Sequence, residues 1–98
     1  MLTETGRVQT AADVVLTELE TQDGVLLHLT TKQYYSLNPT GVHIWKLLDP
    51  ARTLAEVSAA LTERYEVTPE RAVESVLALA NELHAERLIE AVDGPVAA

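Results

Sequence analysis

The chain has 98 residues, 47% of them hydrophobic, which is enough for one modest core and argues against a wholly disordered protein. Fifteen acidic residues against seven Lys and Arg give a formal net charge of −8, which disfavours nucleic-acid partners because affinity for phosphates comes largely from cations. The absence of cysteine excludes disulfides, thiolate metal sites and a cysteine nucleophile. The first residues form no signal peptide and no stretch is long enough to span a membrane, so we expect a soluble cytoplasmic protein.

The first third of the chain predicts an antiparallel meander of three strands. Residues 1 to about 11 are polar and without periodicity, which predicts a frayed terminus. Alternation of apolar residues predicts strands over Asp13–Glu20, Val25–Thr30 and Gln33–Leu37. The Asp23-Gly24 pair between the first two is a strong tight-turn signal, and the next turn is short and polar.

The three histidines do not form a metal-ligand motif, because His28, His43 and His84 are far apart in the sequence. We expect each to be an ordinary surface or core residue. For His28 the alternation indicates the strand face opposite the core set, which is Val25, Leu27 and Leu29.

Three helices follow the strands. Asn38-Pro39 predicts a helix start, with Asn as cap and Pro at the first helical position. Thr53 and Glu56 have the spacing of a capping box and begin a second helix. Thr68-Pro69 begins a third, which we expect to run to about Arg87.

The sequence after the third helix predicts little further regular secondary structure. Residues 88–92 form either a short helical extension or a strand, and Gly94-Pro95 ends the ordered part. We therefore predict one domain over residues 1–98, ordered from about 12 to 92. Strands followed by helices indicate an α+β fold of winged helix-turn-helix type, with a three-stranded antiparallel sheet followed by three helices.

No motif for catalysis is present. The four glycines are isolated, so there is no phosphate loop, and neither a nucleophile elbow nor a zinc-protease motif occurs. A winged helix raises DNA binding as an alternative function. The second helix offers only Arg64, and the third only Arg71 and Arg87 among several glutamates, so the charge pattern disfavours a recognition helix.

The third helix has more apolar positions than one core-facing stripe requires. They form two neighbouring rows, and two interpretations stay open. Both rows can pack in the core, or one can line a groove beside the third strand, whose outer edge then invites an added strand from a partner. One row is Val73, Leu77, Ala80 and His84, and the other is Ala72, Val76, Leu79 and Leu83.

The central motif resembles the family of PqqD, the coenzyme PQQ synthesis protein D. The stretch Leu37-Asn38-Pro39-Thr40-Gly41, followed by Ile44-Trp45 and Leu47-Leu48, is similar to the family pattern Leu-Asn-x-Thr/Ser-Gly/Ala-x-x-Ile-Trp-x-Leu-Leu. The likeness continues to Tyr65-Glu66-Val67 and Leu88-Ile89, and covers about residues 13 to 92. Most of these are packing residues, so the motif identifies a fold family better than a ligand.

The resemblance implies a non-catalytic domain, without cofactor or metal, that binds the leader segment of a ribosomally made precursor peptide. The leader is expected to lie as an added strand between the third strand and the third helix. The strand positions implied are Gln33, Tyr34, Tyr35, Ser36 and Leu37, and the helix positions are Val76, Leu79, Ala80 and Leu83. Three acidic residues of the third helix, Glu74, Glu82 and Glu86, either steer basic leader residues or only keep the helix solvated.

Within this resemblance two pathways stay open. A chain of this size is similar to the recognition proteins of lasso-peptide pathways, whose partners are a cysteine-protease-type leader peptidase and an asparagine-synthetase-like cyclase. The alternative is a PqqD-type chaperone that presents a precursor peptide to a radical S-adenosylmethionine enzyme.

Overall fold

Five strands and three helices make up the fold in the computed structural model, which describes residues 2–92. Strands β2, β3 and β4 form a three-stranded antiparallel sheet in that order, and β1 pairs with β5 in a separate antiparallel ladder. The predicted α+β class, with this sheet ahead of three helices, is confirmed. The elements are β1 (Val8–Thr10), β2 (Val14–Glu18), β3 (Gly24–His28), β4 (Tyr34–Leu37), α1 (Pro39–Leu47), α2 (Leu54–Arg64), α3 (Pro69–Ala85) and β5 (Ile89–Ala91).

The inner face of β3 is the opposite of the one predicted. Leu26 is 0% exposed and His28 is buried, whereas Leu29 is 44% exposed. Both faces of β3 carry apolar residues, so alternation alone could not show which face the helices cover. His28 is a core-side residue with a local partner, because its Nδ1 accepts a hydrogen bond from the Thr31 N–H, N to N 3.3 Å.

Gly24 is needed for close packing and not, as predicted, for a tight turn. The tight turn between β2 and β3 lies over residues 19–22, where Gln22 adopts a left-handed φ of 73° and its N–H donates to the Leu19 carbonyl. Gly24 instead begins β3. A Cβ there would lie 2.7 Å from Val42 Cγ2 and 2.9 Å from Leu16 Cδ1, so the glycine lets α1 approach the sheet.

The predicted helix starts are confirmed. Asn38 caps α1 by accepting from the Gly41 N–H, and Thr68 caps α3. Thr53 and Glu56 form the reciprocal capping box of α2. Helix α3 ends at Ala85, two residues before the predicted end, because Arg87 turns to a left-handed φ of 62°.

The prediction of a frayed terminus up to about residue 11 is wrong, because residues 8–10 form β1. Val8 is 1% exposed, and β1 pairs with β5, so the segment after α3 is a strand and not a helical extension. The Leu54 N–H also donates to the Gly6 carbonyl, N to O 2.9 Å. These partners lie far away in the sequence, so the local pattern of residues 1–11 contains no signal for them. The predicted end of order at Gly94-Pro95 lies outside the described residues.

The core lies between the inner face of the sheet and the three helices. Helices α2 and α3 pack against each other, and α1 covers the sheet near β3 and β4. Within residues 2–92, no helix is both long and apolar enough to cross a membrane. The buried hydrophobic helix residues are Val42, Ile44 and Trp45 in α1, Leu54, Val57 and Leu61 in α2, and Ala72, Val76, Ala80 and Leu83 in α3.

We expect Gly24→Ala to lower the free energy of unfolding by about 1–3 kcal/mol, because the added methyl group overlaps Val42 and Leu16. Chemical denaturation measures this change. In a Val42→Ala background the same substitution should cost less, since one of the two overlapping groups is gone. A Gly24→Ala variant as stable as the parent would contradict this account of the packing.

Candidate functional site

An open cavity of about 490 Å³ lies between strand β4 and helix α3. Its floor is formed by the first turns of α1, which begins directly after β4. The lining residues are a mixture of apolar, small, hydroxyl-bearing and amide residues, with one carboxylate. They are Tyr35, Ser36 and Leu37 from β4, Asn38, Thr40, Gly41 and Ile44 from the start of α1, and Ser75, Ala78, Leu79 and Glu82 from α3.

Strand β4 is an edge of the sheet, because it pairs with β3 on one side only within the described residues. The His28 N–H donates to the Gln33 carbonyl oxygen, N to O 2.9 Å, and this bond fixes the alternation of the antiparallel ladder. Tyr35 and Leu37 follow Gln33 in bonding toward β3. The backbone groups of Tyr34 and Ser36 therefore point away from the sheet, toward the open side where the cavity lies.

Helix α3 presents a different row to the cavity from the one predicted. Val76, Ala80 and Leu83 are fully buried in the core, so these three do not line the cavity. Only Leu79 of the four predicted helix residues does. The helix rotates about 100° per residue, so the row that faces the core and the row that faces the cavity lie side by side. The cavity row is Ser75, Ala78, Leu79 and Glu82.

Of the predicted strand residues, the structure brings Tyr35, Ser36 and Leu37 to the cavity. Gln33 precedes β4 and is exposed, and the Tyr34 side chain points to the opposite face of the sheet, where it is 74% exposed. Among the three predicted steering residues, Glu82 lines the cavity. Glu74 on α3 and Glu86, the residue directly after α3, are exposed outside it.

Ser75 and Ala78 line the cavity but were not among the predicted site residues. Both are small and lie three residues apart on α3, so they leave room beside the helix for another chain. That spacing of small residues next to Leu79 was the available signal. Gly41 and Ile44, interpreted from the motif as packing residues, also reach the cavity floor.

A hydrogen bond crosses the cavity at one end. The Tyr35 phenol donates to Glu82 Oε2 and so connects β4 to α3. Burial, which contributes most, together with the Glu82 hydrogen bond and the negative charges of Glu82 and Glu86, raises the pKa of Tyr35 to about 12. The phenol therefore stays protonated at neutral pH and remains a donor.

Within strands β2, β3 and β4, the side chains on the outer face of the sheet are uncharged and mostly apolar, and Asp13 and Asp23 lie at the two ends of this region. We use "outer face" for the side chains that point away from the helices: Val15, Thr17, Leu19, Val25, Leu27, Leu29, Tyr34 and Ser36. Val15, Leu27 and Tyr34 lie in register across the three strands. Four of the five exposed large hydrophobic residues in the described part of the chain belong to this face. Such a patch on an acidic protein indicates an interaction surface.

Ionisable groups elsewhere offer no metal centre, since residues 2–92 contain no group of three or more His, Cys, Asp or Glu side chains placed to hold an ion. His43 packs edge-on against Tyr65, with ring centroids 5.6 Å apart, and its pKa is lowered by burial and by nearby Arg64 and Lys46.

A family model described as coenzyme PQQ synthesis protein D (PqqD) matches residues 23–89, which is more than half of the chain. The match includes the cavity-lining residues of β4, α1 and α3. No curated protein sequence matches the chain significantly.

Two solved structures share the fold over almost their whole length. One is described as TbiB1 in complex with the TbiA(beta) leader peptide; it is 26% identical, has a TM-score of 0.75 and covers 88% of this chain and 99% of that chain. The other is described as lasso peptide synthetase B1 complexed with the leader peptide, with 24% identity, a TM-score of 0.74 and coverage of 86% and 98%.

The raised pKa of Tyr35 gives a spectroscopic prediction. The chain has three tyrosines, and we expect the ultraviolet titration to contain one phenol that ionises at about pH 12. Tyr35→Phe should remove that late step, whereas Tyr34→Phe should leave it in place. Because the pKa is higher in the folded than in the unfolded state, its stabilising effect is present below pH 10 and is lost as the pH rises through 12. A late step that survives in Tyr35→Phe would contradict the assignment.

Proposed function

The chain belongs to the PqqD family, and on that premise we propose that it binds the leader segment of a ribosomally made precursor peptide. The observation that carries the proposal is the open edge of β4 facing α3 across a cavity. The similar TbiB1 chain, described as a complex with a leader peptide, supports the same class of ligand.

We infer that the leader binds by strand addition. The outward backbone groups of Tyr34 and Ser36 would pair with the leader backbone, which supplies affinity independent of sequence. Alternate leader side chains would then point inward, to the cavity between β4 and α3. The small side chains of Ser75 and Ala78 leave space there for a strand to lie along the helix.

The affinity follows from the apolar part of the cavity. Leu37, Ile44 and Leu79 offer a place for an aliphatic or aromatic leader side chain, whose burial contributes about 1.5–3 kcal/mol. Ordering a flexible leader offsets part of this gain. We therefore expect a dissociation constant between micromolar and nanomolar.

We propose a delivery role without catalysis, in which the domain holds the precursor while partner enzymes act on it. The finer assignment is a lasso peptide precursor, with a cysteine-protease-type leader peptidase and an asparagine-synthetase-like cyclase as partners. The alternative is presentation to a radical S-adenosylmethionine enzyme. The genes beside this one distinguish the two, because each pathway requires a different enzyme next to the precursor gene.

The outer face is where we propose that the leader peptidase docks. A leader strand added to β4 would extend the same sheet, so its outward side chains would lie next to the apolar surface of Val15, Leu27 and Tyr34. An enzyme bound to this face would contact the domain and the leader together. That arrangement couples recognition of the leader to its processing.

The substitution Ala78→Arg tests whether the leader binds in the cavity between β4 and α3. Ala78 is exposed on α3 and lines the cavity, so a long cationic side chain there should block the leader without disturbing the core. We expect the dissociation constant for a fluorescein-labelled leader of the neighbouring precursor to rise at least tenfold (about 1.4 kcal/mol), measured by fluorescence anisotropy.

The matched control is Ala59→Arg, because Ala59 is also an exposed helical alanine but lies on α2 outside the cavity. It should bind the leader like the parent. Equal binding by both variants would place the leader elsewhere, and failure of the parent protein to bind at tens of micromolar would contradict the proposed function.

The docking surface is tested by Val15→Lys. Val15 lies on the outer face of β2, on the far edge of the sheet from β4, so the leader dissociation constant should not change. Cleavage of the precursor by the purified partner peptidase should slow several-fold when the domain is limiting. The control is Val67→Lys, which replaces an exposed valine outside the outer face. With this variant the peptidase should cleave the precursor at the parental rate. Parental cleavage with Val15→Lys would exclude this face as the docking site.

A further inference from the structure

The cavity has two chemically different ends, which the strand spacing places at neighbouring inward positions of a bound peptide. Leu37, Ile44 and Leu79 form the apolar end, and Tyr35 with Glu82 forms the other. Tyr35 and Leu37 are two residues apart on β4, which is about 7 Å along a strand. A peptide strand paired with β4 has the same repeat, so consecutive inward side chains meet one end each.

The second end of the cavity is acidic. Among the described residues that line the cavity, Glu82 is the only Asp, Glu, Lys, Arg or His, and so the only source of formal charge. The hydrogen bond it receives comes from the neutral Tyr35 phenol, which does not offset that charge. Glu86 lies close enough to act on Tyr35 electrostatically and adds to the negative potential there. A cationic donor gains more at such a site than a neutral one.

We infer that the groove selects two leader side chains separated by one residue, an apolar one above Leu37, Ile44 and Leu79, and a lysine or arginine that donates to Glu82. The inference rests on the proposed function and makes Glu82 the specificity-determining residue of the groove. The Tyr35 phenol occupies the Glu82 carboxylate in the free protein and shares or yields it when the cation arrives.

The test uses fluorescein-labelled peptides with the leader sequence of the neighbouring precursor, in which each position in turn is replaced by lysine and by norleucine. Norleucine keeps the unbranched chain of lysine but has no charge. We expect one position to favour norleucine, and a position two residues away to favour lysine by about tenfold in dissociation constant. In Glu82→Gln the lysine preference should vanish while the norleucine preference persists.

Two further variants separate charge selection from structural damage. Glu74→Gln removes the same charge from an exposed position of α3 outside the cavity and should keep both preferences. Tyr35→Phe removes the hydrogen bond to Glu82 but leaves the carboxylate, so the lysine preference should remain. The inference is overturned if no pair of positions shows opposite preferences, or if Glu82→Gln keeps the lysine preference. A parent protein that binds none of the peptides overturns the proposed function and this inference with it.

Discussion

A strand edge leaves backbone N–H and C=O groups without partners inside the protein, and folded proteins usually cover or blunt such edges. The edge of β4 is neither covered nor blunted on the side of the cavity. Helix α3 lies alongside this edge but is separated from it by the cavity. The helix carries small residues, Ser75 and Ala78, on the side that faces the cavity. The site depends on this separation. Helix α3 is held in position by the adjacent row of Val76, Ala80 and Leu83, which is buried in the core.

The sheet therefore has three uses at once. Its inner face builds the core with Leu26 and Leu37, its β4 edge faces the cavity, and its outer face carries the uncharged apolar patch. Gly24 links the first two, because it allows α1 to pack closely on β3 and so brings the start of α1 to the cavity floor. A peptide strand bound at the β4 edge would extend the sheet and therefore both its inner and its outer face.

Local signals made most of this fold predictable from the sequence. Caps such as Asn38 and the Thr53–Glu56 box act within one helical turn, so their spacing identifies helix starts directly. The inner face of β3 was not predictable, since apolar residues occur on both faces and the helices decide between them. Strand β1 depends on pairing with β5 about 80 residues away, for which residues 8–10 contain no local signal. The cavity row of α3 is displaced by a single residue from the predicted one, a difference that only the packed helix reveals.

The central claim is that a leader strand pairs with β4, and amide hydrogen exchange followed by NMR tests it most directly. In the free protein the Tyr34 and Ser36 N–H groups point outward and should exchange quickly, whereas the Tyr35 N–H, directed at β3, should already be protected. Saturating leader should slow exchange at Tyr34 and Ser36 and leave Tyr35 little changed. Saturable binding with unchanged exchange at Tyr34 and Ser36 would contradict strand addition at this edge.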